Sequence, residues 1–290
     1  MKEQYEIARE FFRLPLDERM ACRANLDEGE FFGYQPLGHR EIKPGVRPNN
    51  ELYNIPRFGD DAPKRDHPST IIKYWSTIEK FSRYIHEQII MKLLRLFEIV
   101  LLLPENYFGN LHIYTQNHSS YLRYMKYHAR SPEQNAALEN VWLRPHTDFG
   151  SLSCIIGQSI MALQVRTPRG EWKYVKPYPE AMTVNVGDQL QFLSNGFFKS
   201  SVHRVVTPPA GQAHLDRYGV LYFARVKDDA VLAGAKSKVL ENENMPASEN
   251  VVLAKDWVKA RTLATISPKQ IEVKDHRLNA FGNGLRPMFA

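Results

Sequence analysis

The residues best suited to chemistry in this chain are His146-Thr147-Asp148, with His203 farther on. In an extended segment, residues i and i+2 point to the same face, so His146 and Asp148 can reach one ion together. Alone, this signal is weak: among ten histidines, an aspartate two residues after one of them is no rare accident. His203 opens the β-prone run His203-Arg204-Val205-Val206 and is the candidate third ligand. Two imidazoles and one carboxylate on one side of a metal leave the other side open. Non-haem Fe(II) oxygenases use that arrangement. The same set completed by a water also serves a zinc hydrolase, and the ligand types alone do not separate the two.

Three regions must position these residues. Residues 1 to about 117 read as helical with loops. The clearest element is a long helix from Thr70 to Leu103, with apolar residues at Ile71, Trp75, Ile78, Phe81, Ile85, Ile89, Leu93, Leu96, Val100 and Leu103 at steps of three or four. Pro68-Ser69 supplies its start and Pro104 its stop. Between Glu28 and Pro68 the chain is rich in Gly, Pro and Asn and reads as loop. Residues 118–226 change to short β-prone runs: Tyr121–Tyr127, Ser151–Ile156, Leu163–Arg166, Glu171–Val175, Met182–Val186, Gln189–Leu193, Ser201–Val206 and Val220–Ala224. Many short strands at close spacing predict a sandwich, jelly roll or barrel. Residues 227–290 read as a tail with one helix near Ala254–Ala264 and a polar stretch from Glu241 to Asn250. The three regions are expected to form one structural unit.

Composition bounds the rest. The 290 residues are 43% hydrophobic and 24% charged, which excludes a wholly disordered chain. The net charge of +6 is spread without long like-charge runs, so a solvated surface is expected and a nucleic-acid partner is not. Only Cys22 and Cys154 are present, so no disulfide framework is expected. Ile89 to Leu103 is interrupted by Lys92, Arg95 and Glu98 and is too polar for a membrane span. No signal peptide is visible. A reducing, cytoplasmic setting and no membrane partner follow as expectations.

The stretch from Leu143 to Phe223 resembles the 2-oxoglutarate- and Fe(II)-dependent dioxygenases related to isopenicillin N synthase. The resemblance is carried by LRPHTDFGSLSCII, LQVRTPRGEWKYVKP, TVNVGDQLQFLSNGFFKSSVHRVV and DRYGVLYF, and upstream by FFRLPLDER, GYQPLG, LPENYF and LRYMKY. It implies a mostly β core, a double-stranded β-helix or jelly roll, with flanking α-helices. His146, Asp148 and His203 match the family's iron ligands. Arg217 matches the arginine that pairs with the distal carboxylate of 2-oxoglutarate, a role suited to a guanidinium fork. Tyr127 matches a tyrosine that bonds the cosubstrate. The implied cofactors are Fe(II), 2-oxoglutarate, dioxygen and, as an auxiliary, ascorbate. The implied reaction oxidises an unactivated C–H bond of a small organic molecule by hydroxylation, desaturation, demethylation or ring formation, in natural-product or small-molecule metabolism. Asn185-x-Gly187-Asp188 and Ser194-Asn195-Gly196 also match and are read as turn chemistry. Phe149, Trp142 and Leu143 either face the pocket or pack in the core. The other histidines, such as His112, His118 and His214, are read as core or surface residues.

Three departures accompany the resemblance. The family's Arg-x-Ser element reads Arg217-Tyr218-Gly219, and one hydrogen bond to a charged group is worth about 1.5–3 kcal/mol. Met125 stands where some relatives place Asn. The chain starts inside a family helix, Ile7 to Met20, whereas relatives begin earlier with a strand that joins the barrel. These departures leave two alternatives: an iron oxidase independent of 2-oxoglutarate, and a non-catalytic, truncated jelly-roll protein.

Overall fold

In the computed structural model, which describes residues 1–38, 47–60, 62–178, 180–242 and 252–266, the β-prone runs pair into antiparallel sheets. The strands are β1 (Gly33–Gln35), β2 (Asn50–Pro56), β3 (Tyr121–Tyr127), β4 (Val141–His146), β5 (Leu152–Ile156), β6 (Leu163–Arg166), β7 (Trp172–Tyr174), β8 (Met182–Val186), β9 (His203–Val206) and β10 (Arg217–Ala224). One sheet has the order β1-β2-β3-β10-β5-β8, the other β4-β9-β6-β7. The two face each other as a jelly roll.

Side-chain alternation sorts each strand between two cores. On β3, Tyr121, Arg123, Met125 and Tyr127 lie on one face, and Leu122, Tyr124 and Lys126 on the other. Across the ladder, Arg217 opposes Tyr127, Gly219 opposes Met125, Leu221 opposes Arg123 and Phe223 opposes Tyr121. The first face turns into the roll, where Leu52, Met125 and Tyr127 meet Trp142 and Val205 of the other sheet. The second face, with Leu122, Tyr124, Val220 and Tyr222, joins a larger core with Ile7, Phe11, Ile78 and Leu94 of the helices. A strand covered on both faces is buried throughout, as β2 is.

The N-terminal region departs from its sequence reading. The stretch Glu28 to Pro68 is not all loop: it contains β1 and β2, and β2 pairs along its whole length with β3. Its polar residues hid it: Asn50, Glu51 and Asn54 are buried, and the Glu51 and Asn54 side chains find partners in the fold. The helix Ile7 to Met20 is two helices, α1 (Lys2–Arg13) and α2 (Leu16–Ala21), because Pro15 holds Leu14 extended at φ −57°, ψ 151°.

The long Thr70–Leu103 helix is also broken. It comprises α3 (Ser69–Lys73), α4 (Trp75–Tyr84), a π-helical turn at Ile85–Ile90 and α5 (Met91–Val100). A π turn adds a residue to the repeat and advances the buried face by one position. Ile71, Ile78 and Ile85 are buried as the period requires, but beyond the turn Ile90 and Leu94 are buried in place of Ile89 and Leu93. Leu96 and Val100 are exposed.

After α6 (Pro132–Ala137), the next short helix of the roll is α7 (Asp188–Leu193), so Gln189–Leu193 is helical rather than a strand. Its alternation of polar and apolar residues imitates a strand, a known ambiguity of short runs. Leu190 and Leu193, three apart, are both buried on one helical face. Near the C-terminus a helix spans Ala254–Ile266, where one was expected. Of the polar stretch Glu241 to Asn250, residues 243–250 lie outside the described residues, as do 267–290 of the expected tail. No helix among the described residues is long and apolar enough to cross a membrane.

Candidate metal centre

His146 closes β4 and His203 opens β9, opposite each other in the ladder between those strands. Asp148 lies two residues past the end of β4, outside the regular strand. This segment is held from below. The backbone N–H of Asp188 donates to the Asp148 carbonyl at 2.8 Å, and that of Gln189 to Gly150 at 3.1 Å. This contact requires Gly187: a Cβ there would stand 2.2 Å from the Gly150 carbonyl oxygen. Thr147 donates its hydroxyl to Asp188 at 3.1 Å, and Arg261 of the C-terminal helix pairs with the same carboxylate at 2.6 Å.

The three candidate ligand atoms lie within 4.8 Å of one another. Asp148 Oδ1 is 3.9 Å from His146 Nε2 and 3.8 Å from His203 Nε2. Each imidazole is oriented through its other nitrogen. His146 Nδ1–H donates to the Arg144 carbonyl and His203 Nδ1–H to the Ser201 carbonyl, both at 2.9 Å. This fixes the tautomer and leaves both Nε2 lone pairs free, the usual support for metal-binding histidines. Asp148 Oδ2 accepts from Asn185 Nδ2 at 2.9 Å, which leaves Oδ1 for the shared position. Burial, then the neighbouring His203, push His146 down to about 4 and keep it neutral. Burial would raise the Asp148 carboxyl, but His203, His146 and the Asn185 bond together hold it below the usual range. Two imidazole nitrogens and a carboxylate oxygen, with one side open, fit a divalent iron.

Arg217 and Tyr127 are brought together but lie apart from the triad's own contacts. They are paired residues of β10 and β3, and the guanidinium sits 5.6 Å from the Tyr127 ring centroid. Both are buried, and Arg217 Nε has no hydrogen-bond partner. Burial lowers the Arg217 pKa from its ordinary value and raises that of Tyr127. A buried guanidinium without an anion is costly, so this pair suits a carboxylate ligand. At Gly219 a Cβ would lie 3.1 Å from Leu221 Cδ1 and 3.5 Å from Gln158 Nε2, so the space of the family's serine is already lined.

Beside the triad opens a cavity of about 430 Å³, within the range of small-molecule sites. His146 and Asp148 form part of its wall, together with Leu52, Met125, Trp142, Leu143, Phe149 and Phe223. Trp142, Leu143 and Phe149, whose orientation the sequence left open, thus face the cavity. Sequence reasoning missed Asn185, which is more than turn chemistry, and two of the arginines that line the cavity, Arg123 and Arg225. Parity could have found the arginines: Arg123 lies four before Tyr127 and Arg225 eight after Arg217, even spacings that place them on the inner face.

With this geometry in place, comparison with known proteins is direct. The sequence pattern of the 2OG-Fe(II) oxygenase superfamily matches residues 116–226, a span that includes all three candidate ligands, Arg217 and Tyr127. The chain is 32% identical over 235 residues to the 2-oxoglutarate-dependent dioxygenase gloE of Glarea lozoyensis, covering 78% of this chain and 66% of that protein. The chain belongs to the 2OG-Fe(II) oxygenase superfamily. A second member, the 2-oxoglutarate-dependent dioxygenase frbH of a Dothideomycetidae species, is 29% identical, covering 86% of this chain and 71% of the other. The chain thus spans about two thirds of the length of these relatives. Among solved oxygenases, a full-length Neurospora crassa protein in complex with alpha-KG superposes with a TM-score of 0.78 at 22% identity, covering 91% of this chain and 82% of the other. A 2OG-Fe(II) oxygenase family protein from Caulobacter crescentus gives 0.73 at 21%, covering 91% and 85%. At such identities the likeness establishes the shared jelly-roll fold.

Proposed function

We propose that this oxygenase is an Fe(II)- and 2-oxoglutarate-dependent enzyme that oxidises an unactivated C–H bond of a small organic molecule in natural-product or small-molecule metabolism. The observation that carries the reading is the convergence of one ligand atom each from His146, Asp148 and His203 within 4.8 Å, with His146 and Asp148 on the wall of a ligand-sized cavity. His146, Asp148 and His203 would hold the iron, which supplies open positions for a keto acid and dioxygen and the oxidising power for the C–H bond. The chain's own residues do the rest. The carbonyls of Arg144 and Ser201 aim the imidazoles, and Asn185 aims the carboxylate. Arg217 takes the distal carboxylate of 2-oxoglutarate, with Tyr127 beside it. The apolar wall excludes water from the reacting carbon.

The reading extends to the setting. A cavity of this size supports a small-molecule partner rather than a nucleic acid. The free, buried thiols of Cys22 and Cys154 support a reducing, cytoplasmic compartment.

Gly219 favours a second reading, an iron oxidase that does without 2-oxoglutarate, because the serine hydroxyl of the family is missing. Against it stands Gln158, whose Nε2 donates to the Tyr218 carbonyl at 2.8 Å and lies beside the same space, so an amide N–H can replace the hydroxyl. Anaerobic titration of the Fe(II)-loaded protein with 2-oxoglutarate tests both. A saturable visible charge-transfer band is expected, and Arg217→Ala should need about a hundredfold more 2-oxoglutarate to form it while retaining iron. Iron bound without a band would favour the second reading.

A further inference from the structure

The inner face of β10 carries a guanidinium near each end. Arg217, at the start, was assigned above to the cosubstrate. Arg225 follows the last residue of the strand at the same parity and lines the cavity beside the metal ligands. Arg123 of β3 lines it too. Their surroundings are aromatic. Tyr121 and Phe223 stack at 4.6 Å between ring centroids with 18° between planes. Arg123 lies 5.3 Å from Tyr121 and 4.9 Å from Phe223. Arg225 lies 5.2 Å from Tyr121 and 4.6 Å from Phe31. Cation–π contact at these distances holds a guanidinium in place without neutralising it.

Neutral groups take the hydrogen bonds these arginines make. Arg123 donates to Asn54 Oδ1 at 2.7 Å and to the Tyr121 hydroxyl at 3.2 Å. Arg225 donates to Ser119 Oγ at 3.3 Å, its side chain is buried, and its Nε has no partner. Among the described residues, neither guanidinium has a carboxylate oxygen within the 4.0 Å of an ion pair. Burial lowers the pKa of Arg225, and the neighbouring charge of Arg123 lowers it further. The acids that act on Arg225 are Asp228, beyond contact, and Asp148, already committed to the metal centre. Two like charges held together at an apolar cavity without a counterion are unfavourable unless a ligand supplies the anion.

We propose that Arg123 and Arg225 recognise the carboxylate of the substrate, so that the substrate class is small organic acids with an apolar body. The acid group sits between the two guanidinium groups, and the body lies along Phe223, Met125 and Trp142 toward His146 and Asp148. The same face of β10 then binds two carboxylates: the cosubstrate's at Arg217 and the substrate's at Arg225. This rests on the oxygenase reading for the word substrate, but the anion site itself does not depend on it.

The test is calorimetric titration of the protein with a panel of acids (3-phenylpropanoate, cinnamate and octanoate) and with the amide of each. At least one acid should bind, and its amide should bind about tenfold or more weakly. Arg123→Gln and Arg225→Gln should each bring the acid down toward the affinity of its amide, whereas Arg217→Gln should leave it unchanged. Equal affinity for acid and amide, no binding by any acid, or acid binding that is lost only in Arg217→Gln would overturn the proposal. The wild-type comparison of acid with amide stands even if a variant fails to fold. Loss of the 2-oxoglutarate band with acid recognition intact removes the oxygenase reading alone; a normal band without acid recognition removes this proposal alone.

Discussion

Two groups of histidines share this fold and differ in who occupies their second nitrogen. In the buried group beneath the six-stranded sheet, the protein satisfies both nitrogens of every ring. His86 Nε2–H donates to the His112 carbonyl, and Nδ1 accepts from the Tyr222 hydroxyl at 2.8 Å. His112 Nδ1–H donates to the Phe108 carbonyl and Nε2 accepts from Ser151, both at 2.8 Å. His118 Nε2–H donates to the Tyr114 carbonyl at 3.1 Å, and Nδ1 accepts from the Ser120 N–H at 3.2 Å. At the candidate metal centre the rings are satisfied at Nδ1 only. The lesson is that a buried histidine is structural when its bonds are complete, and it is a candidate ligand when one lone pair is left aimed at other ligands.

The largest effect that could break this division is a paired substitution. His146→Ala should abolish iron retention, measured by metal analysis of purified protein, while changing the stability of the metal-free chain by less than about 1 kcal/mol. His112→Ala should do the reverse. It strands Ser151 and the Phe108 carbonyl in the core and should cost on the order of 3 kcal/mol in denaturant unfolding, with iron retained by the folded fraction. If either protein behaves like the other, the two groups are not distinct.

Acid should sharpen the comparison. Burial pushes His86 and His112 from 6.5 down to about 4, and His118 to about 3. Their folded pKa values lie below the unfolded value, so the unfolded chain takes up protons that the folded chain refuses. Their neutral forms cost nothing above pH 6.5, and stability falls as the pH drops from 6.5 toward 4. The loss should approach about 3 kcal/mol each for His86 and His112 at full protonation, and more for His118. Unfolding free energies measured across that range check it, and His112→Gln should flatten the slope. A flat profile in the wild type would show that these rings accept protons in place.

The smallest expected effect concerns Asn185. Its bond to Asp148 orients the carboxylate without contributing a ligand, so Asn185→Ala should weaken metal affinity by about 10–100-fold and leave the fold intact. Metal competition titration reads this directly. An unchanged affinity would mean that the backbone holds Asp148 without help.

Much of the molecule was legible in the chain. Tyr121–Tyr127, Leu163–Arg166 and Met182–Val186 form strands with the boundaries read from their composition, because β-branched and aromatic residues between turn signals act locally. The candidate ligands were legible through motif text rather than periodicity. What stayed hidden depends on distant partners. Strand β2 looks like loop until β3 takes up its backbone and Arg123 bonds Asn54. The π turn leaves no periodic trace, yet it moves burial from Ile89 to Ile90 and sets His86 against Tyr222. Asn185 reads as a turn residue because its partner, Asp148, belongs to another segment.

The sequence by itself determined the strand alternation, the helix start after Pro68 and the types of the three candidate ligands, since these follow from local sterics and side-chain chemistry. Only the tertiary structure decided that the Nε2 atoms of His146 and His203 face one carboxylate oxygen, and that Arg123 and Arg225 share a cavity without a carboxylate in ion-pair contact among the described residues. Both depend on which strands lie opposite each other, and pairing at long range is set by the burial of whole faces rather than by any one segment.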